Sequence, residues 1–342
     1  MDKTTIHFGK HFQRLLAFLL CVVCVFGLIP TQAFAMSPGM KASSWLGDQY
    51  VGSDGQHYYG PAPTNFLVYN SDGTMDHRTS NGGNAYRHYM LTDSDGVTHS
   101  VYCVESGIPY NTSENTYTSE SGNNSAYLDL LPASARRGIT LTAIYGWKPG
   151  ASVPVSDINE EDYKMATQII LWEYQQQLRT DPYSRHGNGH AEADQYYSVI
   201  AGRPAEKAYD WILSQVAAHS AVPSFTATSN SDAPELELKW DVDNKVYSLT
   251  VTDTNNLNID LEMLSGSGVS VVRNGNSYTF TSKTMIMDPV TFEFRKDIPV
   301  ANDMLIWGRP GYQTMMTGAS DPVSFFVTVS YTHLRAHETL SD

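Results

Sequence analysis

The chain has 342 residues, carries 36 acidic against 22 basic side chains for a formal charge of −14, and has only 17% charged residues. So acidic a surface argues against nucleic acid and anionic membranes as partners, since both recruit basic patches. Abundant tyrosine (21) with so few charges fits an extracellular, β-rich protein better than a cytosolic enzyme.

Residues 1–35 read as a secretory signal peptide. Lys3, Lys10 and Arg14 form the basic start, the run from Leu15 to Ile29 is almost wholly apolar, and Ala33-Phe34-Ala35 offers small residues for cleavage. The apolar run is shorter than the roughly 20 residues a bilayer span needs, so no membrane insertion of the mature protein is expected. Leu20 and Val23 precede Cys21 and Cys24 where a lipoprotein would carry a small residue. Cleavage removes both cysteines and leaves Cys103 alone in a compartment where cysteines normally pair. A buried inert thiol and an intermolecular disulfide are the plain readings of such a residue.

The remaining length suits two domains. From Tyr50 to Glu105 the pattern is strand and turn, with a hairpin over 86–104 that turns at Asp93-Ser94-Asp95-Gly96. That turn lacks the ligand spacing and closing Glu of a calcium loop. Cys103 falls near the end of the second strand, just before SENTYTSESGNNS, which reads as a polar loop. Three helices follow. Pro132 opens the first, which runs to Tyr145 and ends at Gly146. Asp157 with Glu160 resembles a capping box for the second, EEDYKMATQIILWEYQQQL. Pro204 starts the third, with Ala208, Tyr209, Ile212, Leu213 and Val216 at helical spacing. After Pro223 the pattern is all strand, with turns at Asp243-Asn244 and Asn274-Gly275. The expected fold class is α+β: a β-sandwich or barrel with a helical insertion over 45–222 (helical part about 125–220), then an all-β sandwich over 224–329. The tail, 330–342, breaks the β pattern and resembles translated adaptor sequence, a non-native or disordered end.

The second helix is apolar nearly all round, with Tyr163, Ala166, Ile170 and Tyr174 on one face and Met165, Ile169 and Trp172 on the other, so it is expected to be buried. Burial carries the Gln168 carboxamide inside, where an unpaired polar group costs about 1–3 kcal/mol. Satisfaction by backbone groups is the plain reading. VYCVE (101–105) and ATQIILWEY (166–174) resemble, however, the two motifs of the thioester domains of Gram-positive surface adhesins and pilus-tip proteins, where an aromatic-Cys segment precedes a helix carrying Thr-Gln-x-Ala-aliphatic-Trp. Tyr102, Cys103, Thr167, Gln168, Leu171 and Trp172 match; Ile170 stands where the family has Ala, and its extra volume must be accommodated.

The resemblance implies an internal thioester between the Cys103 sulfur and the Gln168 carbonyl, formed with loss of ammonia and displaced by a target lysine amine to leave an isopeptide link. The partner would be a host or neighbouring surface protein. The localisation would be the Gram-positive cell wall, with adhesion to a host as the role and further stalk domains outside this chain. The reaction runs once per molecule, so the protein is not an enzyme in the turnover sense, and no cofactor or metal is expected. Tyr102, Ile169 and Trp172 are candidates to keep water from the bond or are plain core; Thr167 either orients the carbonyl or satisfies a helix carbonyl. Two other classes stand beside this: a non-covalent binding or stalk module with an inert Cys103, and a secreted cysteine hydrolase or transpeptidase using a histidine base. His99, four residues before Cys103 on one strand, lies about 13 Å away, too far for a dyad. His88 and the loop histidines His186 and His190 remain, and two loop histidines without a third ligand are a weak metal signal. Lys239 and Lys245 make an internal Lys-Asn cross-link in the second domain conceivable.

Overall fold

The computed structural model describes residues 37–331, apart from 61–65, 70–74, 79–83, 86, 109, 184–195, 299 and 302. The expected signal peptide, the RHGNGH histidines and all but the first two residues of the tail lie outside the described residues. No helix among those described is long and apolar enough to cross a membrane.

Strands β1 (Lys41–Gln49), β6 (Arg87–Asp93), β7 (Thr98–Cys103), β8 (Ser113–Ser121), β15 (Leu305–Gly308) and β16 (Met315–Thr317) close into a barrel in the order β1-β6-β7-β16-β15-β8. Between β1 and β6, two short antiparallel pairs form: β2 (Tyr59–Gly60) with β5 (Asn84–Ala85), and β3 (Phe66–Tyr69) with β4 (Met75–Arg78). The expected hairpin is β6–β7. Its turn is tied by the Asp93 carboxylate, which accepts the backbone N–H groups of Asp95 and Val97, and Gly96 takes φ 80°. The segment expected as a polar loop is instead strand β8. Its polar residues satisfy the backbone-paired surface of the barrel, while Tyr117 alone turns a large ring into the core and β1 and β15 supply the ladder on either side.

Among the described residues, four α-helices follow β8: α1 (Ala126–Leu130), α2 (Ala133–Tyr145), α3 (Glu160–Gln175) and α4 (Pro204–Ser220). Pro132, Gly146 and Pro204 punctuate them as expected. The capping box of α3 sits two residues later than expected: Asn159 accepts the Asp162 N–H, and Asp162 accepts the Asn159 N–H. Asp162 wins because its buried carboxylate also takes the Tyr58 hydroxyl at 2.7 Å and the Ser53 N–H at 3.0 Å, tying the segment after β1 to the helix start. Asp157 instead takes a positive φ of 62°. Every residue of α3 from Asp162 onward is buried. The helix lies between the barrel and α2 and α4. Gly138 of α2 permits this closeness, since a Cβ there would stand 2.2 Å from the Tyr174 ring.

The second region is a seven-stranded sheet in the order β11-β14-β17-β9-β10-β13-β12, built from β9 (Glu235–Asp241), β10 (Val246–Thr252), β11 (Leu261–Ser265), β12 (Ser270–Asn274), β13 (Ser277–Ser282), β14 (Val290–Lys296) and β17 (Phe325–Tyr331). Phe280 of β13 meets Phe294 of β14 edge-on at 6.4 Å across three intervening strands, so the sheet folds over a common core to make the sandwich. That core is apolar, chiefly Leu238, Phe280, Phe292, Phe294, Phe325, Val327 and Val329. The β12–β13 hairpin forms, but its turn lies one residue later than the expected Asn274-Gly275: Asn274 pairs with Ser277, and Gly275-Asn276 are the two loop residues.

Two differences concern boundaries. Residues 305–317, expected inside the sandwich, return to the barrel and close it. Short apolar strands carry no mark of which sheet they will join, and the pairing is decided by the open edges of β7 and β8. Strand β17 also continues through Ser330 and Tyr331, which were expected in the tail; Tyr331 pairs with Leu238. The mixed α+β class itself, barrel and helices followed by a sandwich, stands as expected.

Candidate functional site

Cys103 is the last residue of β7, where its neighbour across the ladder is Met315 of β16. Both Cys103 and Gln168 have no solvent exposure. The Gln168 carboxamide lies against the Cys103 backbone like a short piece of strand: its Oε1 accepts the Cys103 N–H at 2.9 Å, and its Nε2 donates to the Cys103 carbonyl at 2.7 Å. Both polar atoms of the side chain thereby have a partner, which offsets much of the cost of burying it. The structure brings together the two residues the motifs single out, from a strand end and a helix interior.

The supporting residues divide. Thr167 does not reach the Gln168 carbonyl; its hydroxyl donates to Tyr163 O at 2.8 Å and accepts the Trp147 N–H at 3.0 Å. Tyr102 donates its hydroxyl to Trp147 O at 2.9 Å, so the two motifs grip one loop residue from both sides. Gly146 makes room for that grip, because a Cβ there would fall 2.4 Å from the Thr167 methyl. Ile169 and Ile170 are both fully buried. The extra volume of Ile170 is therefore absorbed without displacing the Cys103–Gln168 contact. Trp172 is almost wholly buried and lies 5.4 Å from Tyr196, ring centre to ring centre.

Burial pushes the Cys103 thiol up to about 12. A hydrolytic cysteine needs the opposite, a thiolate made accessible by a cationic neighbour. The histidines near the hairpin are engaged elsewhere, His99 with Asp93 at 2.7 Å and His88 with Glu161. Among the described residues no group of three or more His, Cys, Asp or Glu is placed to hold a metal ion. Lys239 and Lys245 are both exposed, which is not where an internal cross-link protected from water would sit.

Several neighbours of the site carry no motif. The Ser106 N–H donates to Gln175 Oε1 at 3.1 Å and the Ser106 hydroxyl pairs with the Tyr196 hydroxyl at 2.6 Å, fixing the chain just beyond Cys103. The Glu105 carboxylate accepts the N–H and hydroxyl of Thr314, and Val104 donates to Thr314 O, so the Cys103 strand is clipped by a segment more than 200 residues away. The only sequence signal for these was the excess of tyrosine. At the end of α3, Glu173 and Arg179 form a fully buried ion pair at 2.9 Å, closed by the Tyr209 hydroxyl.

A closed barrel whose last strand positions meet a buried helix through one cysteine and one glutamine defines a domain organised around a Cys–Gln pair. The family comparison agrees with the motifs: residues 100–218 match the family model of the thioester domain, a stretch that contains Cys103, Gln168, helices α1 to α3 and most of α4. Among solved structures, the thioester domain of the Staphylococcus aureus TIE protein is similar at 15% identity and a TM-score of 0.43, covering 86% of this chain and 98% of that one. No curated protein matches.

Proposed function

We propose that Cys103 and Gln168 close an internal thioester and that the protein is a secreted, covalent adhesin of a Gram-positive cell surface. The observation that carries this reading is the paired hydrogen bonding of the Gln168 carboxamide to both backbone groups of Cys103 in a dry interior. Such placement replaces an encounter between thiol and amide with an intramolecular one, the kind of advantage that makes an otherwise poor acyl transfer proceed. The Cys103 sulfur bonds to Gln168 Cδ, and the carboxamide nitrogen leaves as ammonia. The Cys103 N–H, already on Oε1, is placed to stabilise charge on that oxygen when the carbonyl is attacked. A lysine amine of a host or neighbouring surface protein then takes the acyl group, Cys103 returns as a thiol, and one isopeptide bond is made per molecule. Exclusion of water by Tyr102, Ile169 and Trp172 preserves the thioester until that encounter. The sandwich serves as the spacer that presents the reactive region.

Intact mass of the secreted protein tests this. The expected species is lighter by one ammonia, the deficit vanishes in Cys103→Ala and Gln168→Ala, and methylamine restores the mass with one added amine. Full mass together with a Cys103 that alkylates freely after unfolding would overturn it.

A further inference from the structure

The contact between Cys103 and Gln168 is a single pair of hydrogen bonds joining the end of β7 to the middle of α3. A second connection runs one residue earlier on both elements and passes through Trp147, the first residue beyond the Gly146 cap of α2. Tyr102 donates its hydroxyl to Trp147 O at 2.9 Å, and Thr167 accepts the Trp147 N–H at 3.0 Å. Lys164, three residues before Thr167 and on the same face of α3, places its ammonium 4.8 Å from the centre of the Trp147 ring. Tyr163 donates its hydroxyl to Tyr145 O, so α3 also holds the residue before the cap. Tyr102, Tyr163, Lys164 and Thr167 are all buried, which keeps water from competing for these bonds.

We infer that Trp147 is a positioning residue of the reactive pair: its N–H and carbonyl, held between Thr167 and Tyr102, fix the approach of the Cys103 sulfur to Gln168 Cδ. The inference rests on the thioester reading and adds to it a residue that neither motif contains. One pair of hydrogen bonds leaves α3 free to turn about it against β7, and the tie through Trp147, between the residues that precede Cys103 and Gln168, removes that freedom. In the reaction the C–S bond forms, the C–N bond of the carboxamide breaks, and ammonia leaves with the proton of the thiol. Burial holds that thiol well above its ordinary range, so alignment has to supply what a thiolate population does not. A misplacement of about 1 Å is enough to slow such a step by about 100-fold.

The test uses the whole chain made by cell-free translation, with ammonia loss followed by intact mass from the moment translation is stopped and thermal unfolding measured alongside. Tyr102→Phe and Thr167→Val each keep the shape of the side chain and remove one bond to Trp147. Each is expected to unfold cooperatively and to lose ammonia about tenfold or more slowly than the parent. Thr167→Ser returns the hydroxyl and is expected to restore the rate. Both bonds act through one residue, so the double variant is expected to be no slower than the slower single. If Thr167→Val does not fold, Tyr102→Phe and the Thr167→Ser rescue carry the test. A parent-like rate in Tyr102→Phe, no rescue by Thr167→Ser, or a double variant whose loss is the product of the two singles overturns the role of Trp147 while the thioester stands. Absence of the mass deficit in the parent protein overturns the thioester itself.

Discussion

The barrel with its helices and the sandwich bury residues of different kinds. The sandwich core is hydrocarbon and aromatic rings, Phe280 against Phe294 and Phe294 against Phe325, stabilised by area removed from water. The helical layer buries Asp162, Thr167, Gln168, Glu173, Gln175 and Arg179 with named partners for their polar atoms. Paired polar groups in a low-dielectric interior add little net stability but permit few alternative arrangements. One region is built to hold a shape and the other to hold particular atoms in register. The two are nonetheless joined: strands β15 and β16 leave the sandwich to complete the barrel, and Lys296 at the end of β14 donates to the last carbonyls of α4, Ala218 at 2.9 Å and His219 at 2.8 Å.

The sharpest way to break this comparison is truncation. A chain ending at residue 222 lacks β15 and β16, leaves the edges of β7 and β8 unpaired, and removes the Thr314 clip from Glu105. It is expected to show no cooperative thermal unfolding and no mass deficit; a truncated chain that melts cooperatively and keeps the deficit would make the first region self-sufficient. Next in size is Glu173→Gln, which leaves the fully buried Arg179 charge uncompensated and is expected to cost about 3–5 kcal/mol in urea unfolding. A loss under about 1 kcal/mol would mean that Tyr209 and backbone carbonyls carry that guanidinium unaided.

The smallest expected effect is on pH. Burial lowers both Lys164, beside the Trp147 ring, and Lys296 from 10.5 to about 8. Between those values the unfolded chain holds protons that the folded chain has released, so stability rises with pH from about 8 toward 10. Above that, the deeply buried Tyr50 and Tyr89, whose hydroxyls are held well above their ordinary range by burial, ionise first in the unfolded chain and stability falls again. Melting temperature across this window checks the rise, and Lys164→Met is expected to flatten it. An unchanged slope in that variant would assign the rise to Lys296 alone.

Local pattern carried much of the organisation. The β6–β7 hairpin follows from alternation around Asp-Ser-Asp-Gly, the helix ends from Pro132, Gly146 and Pro204, and the burial of α3 from an apolar surface without a polar face. Strand β8 was illegible because its residues are small and polar, and what makes it a strand is two neighbouring backbones rather than its own side chains. The α3 cap shifted from Asp157 to Asn159 for a related reason. Several local residues could cap, and Tyr58 and Ser53, distant in the chain, selected Asp162 as the reciprocal partner.

For the candidate site, the sequence by itself determined the chemistry available: one cysteine beyond the expected leader, the glutamine Gln168 in a helix with no polar face, and motif neighbours that mark both. Only the tertiary structure decided that the carboxamide faces the Cys103 backbone, that Thr167 serves the Trp147 loop and not the carbonyl, and that Thr314, Met315, Gln175 and Tyr196 hold the surroundings rigid. Residue type sets what bonds a group can make. Which bonds are made depends on atoms brought within a few ångströms by barrel closure and helix packing, and a linear pattern carries no distance between residues 103, 168 and 314.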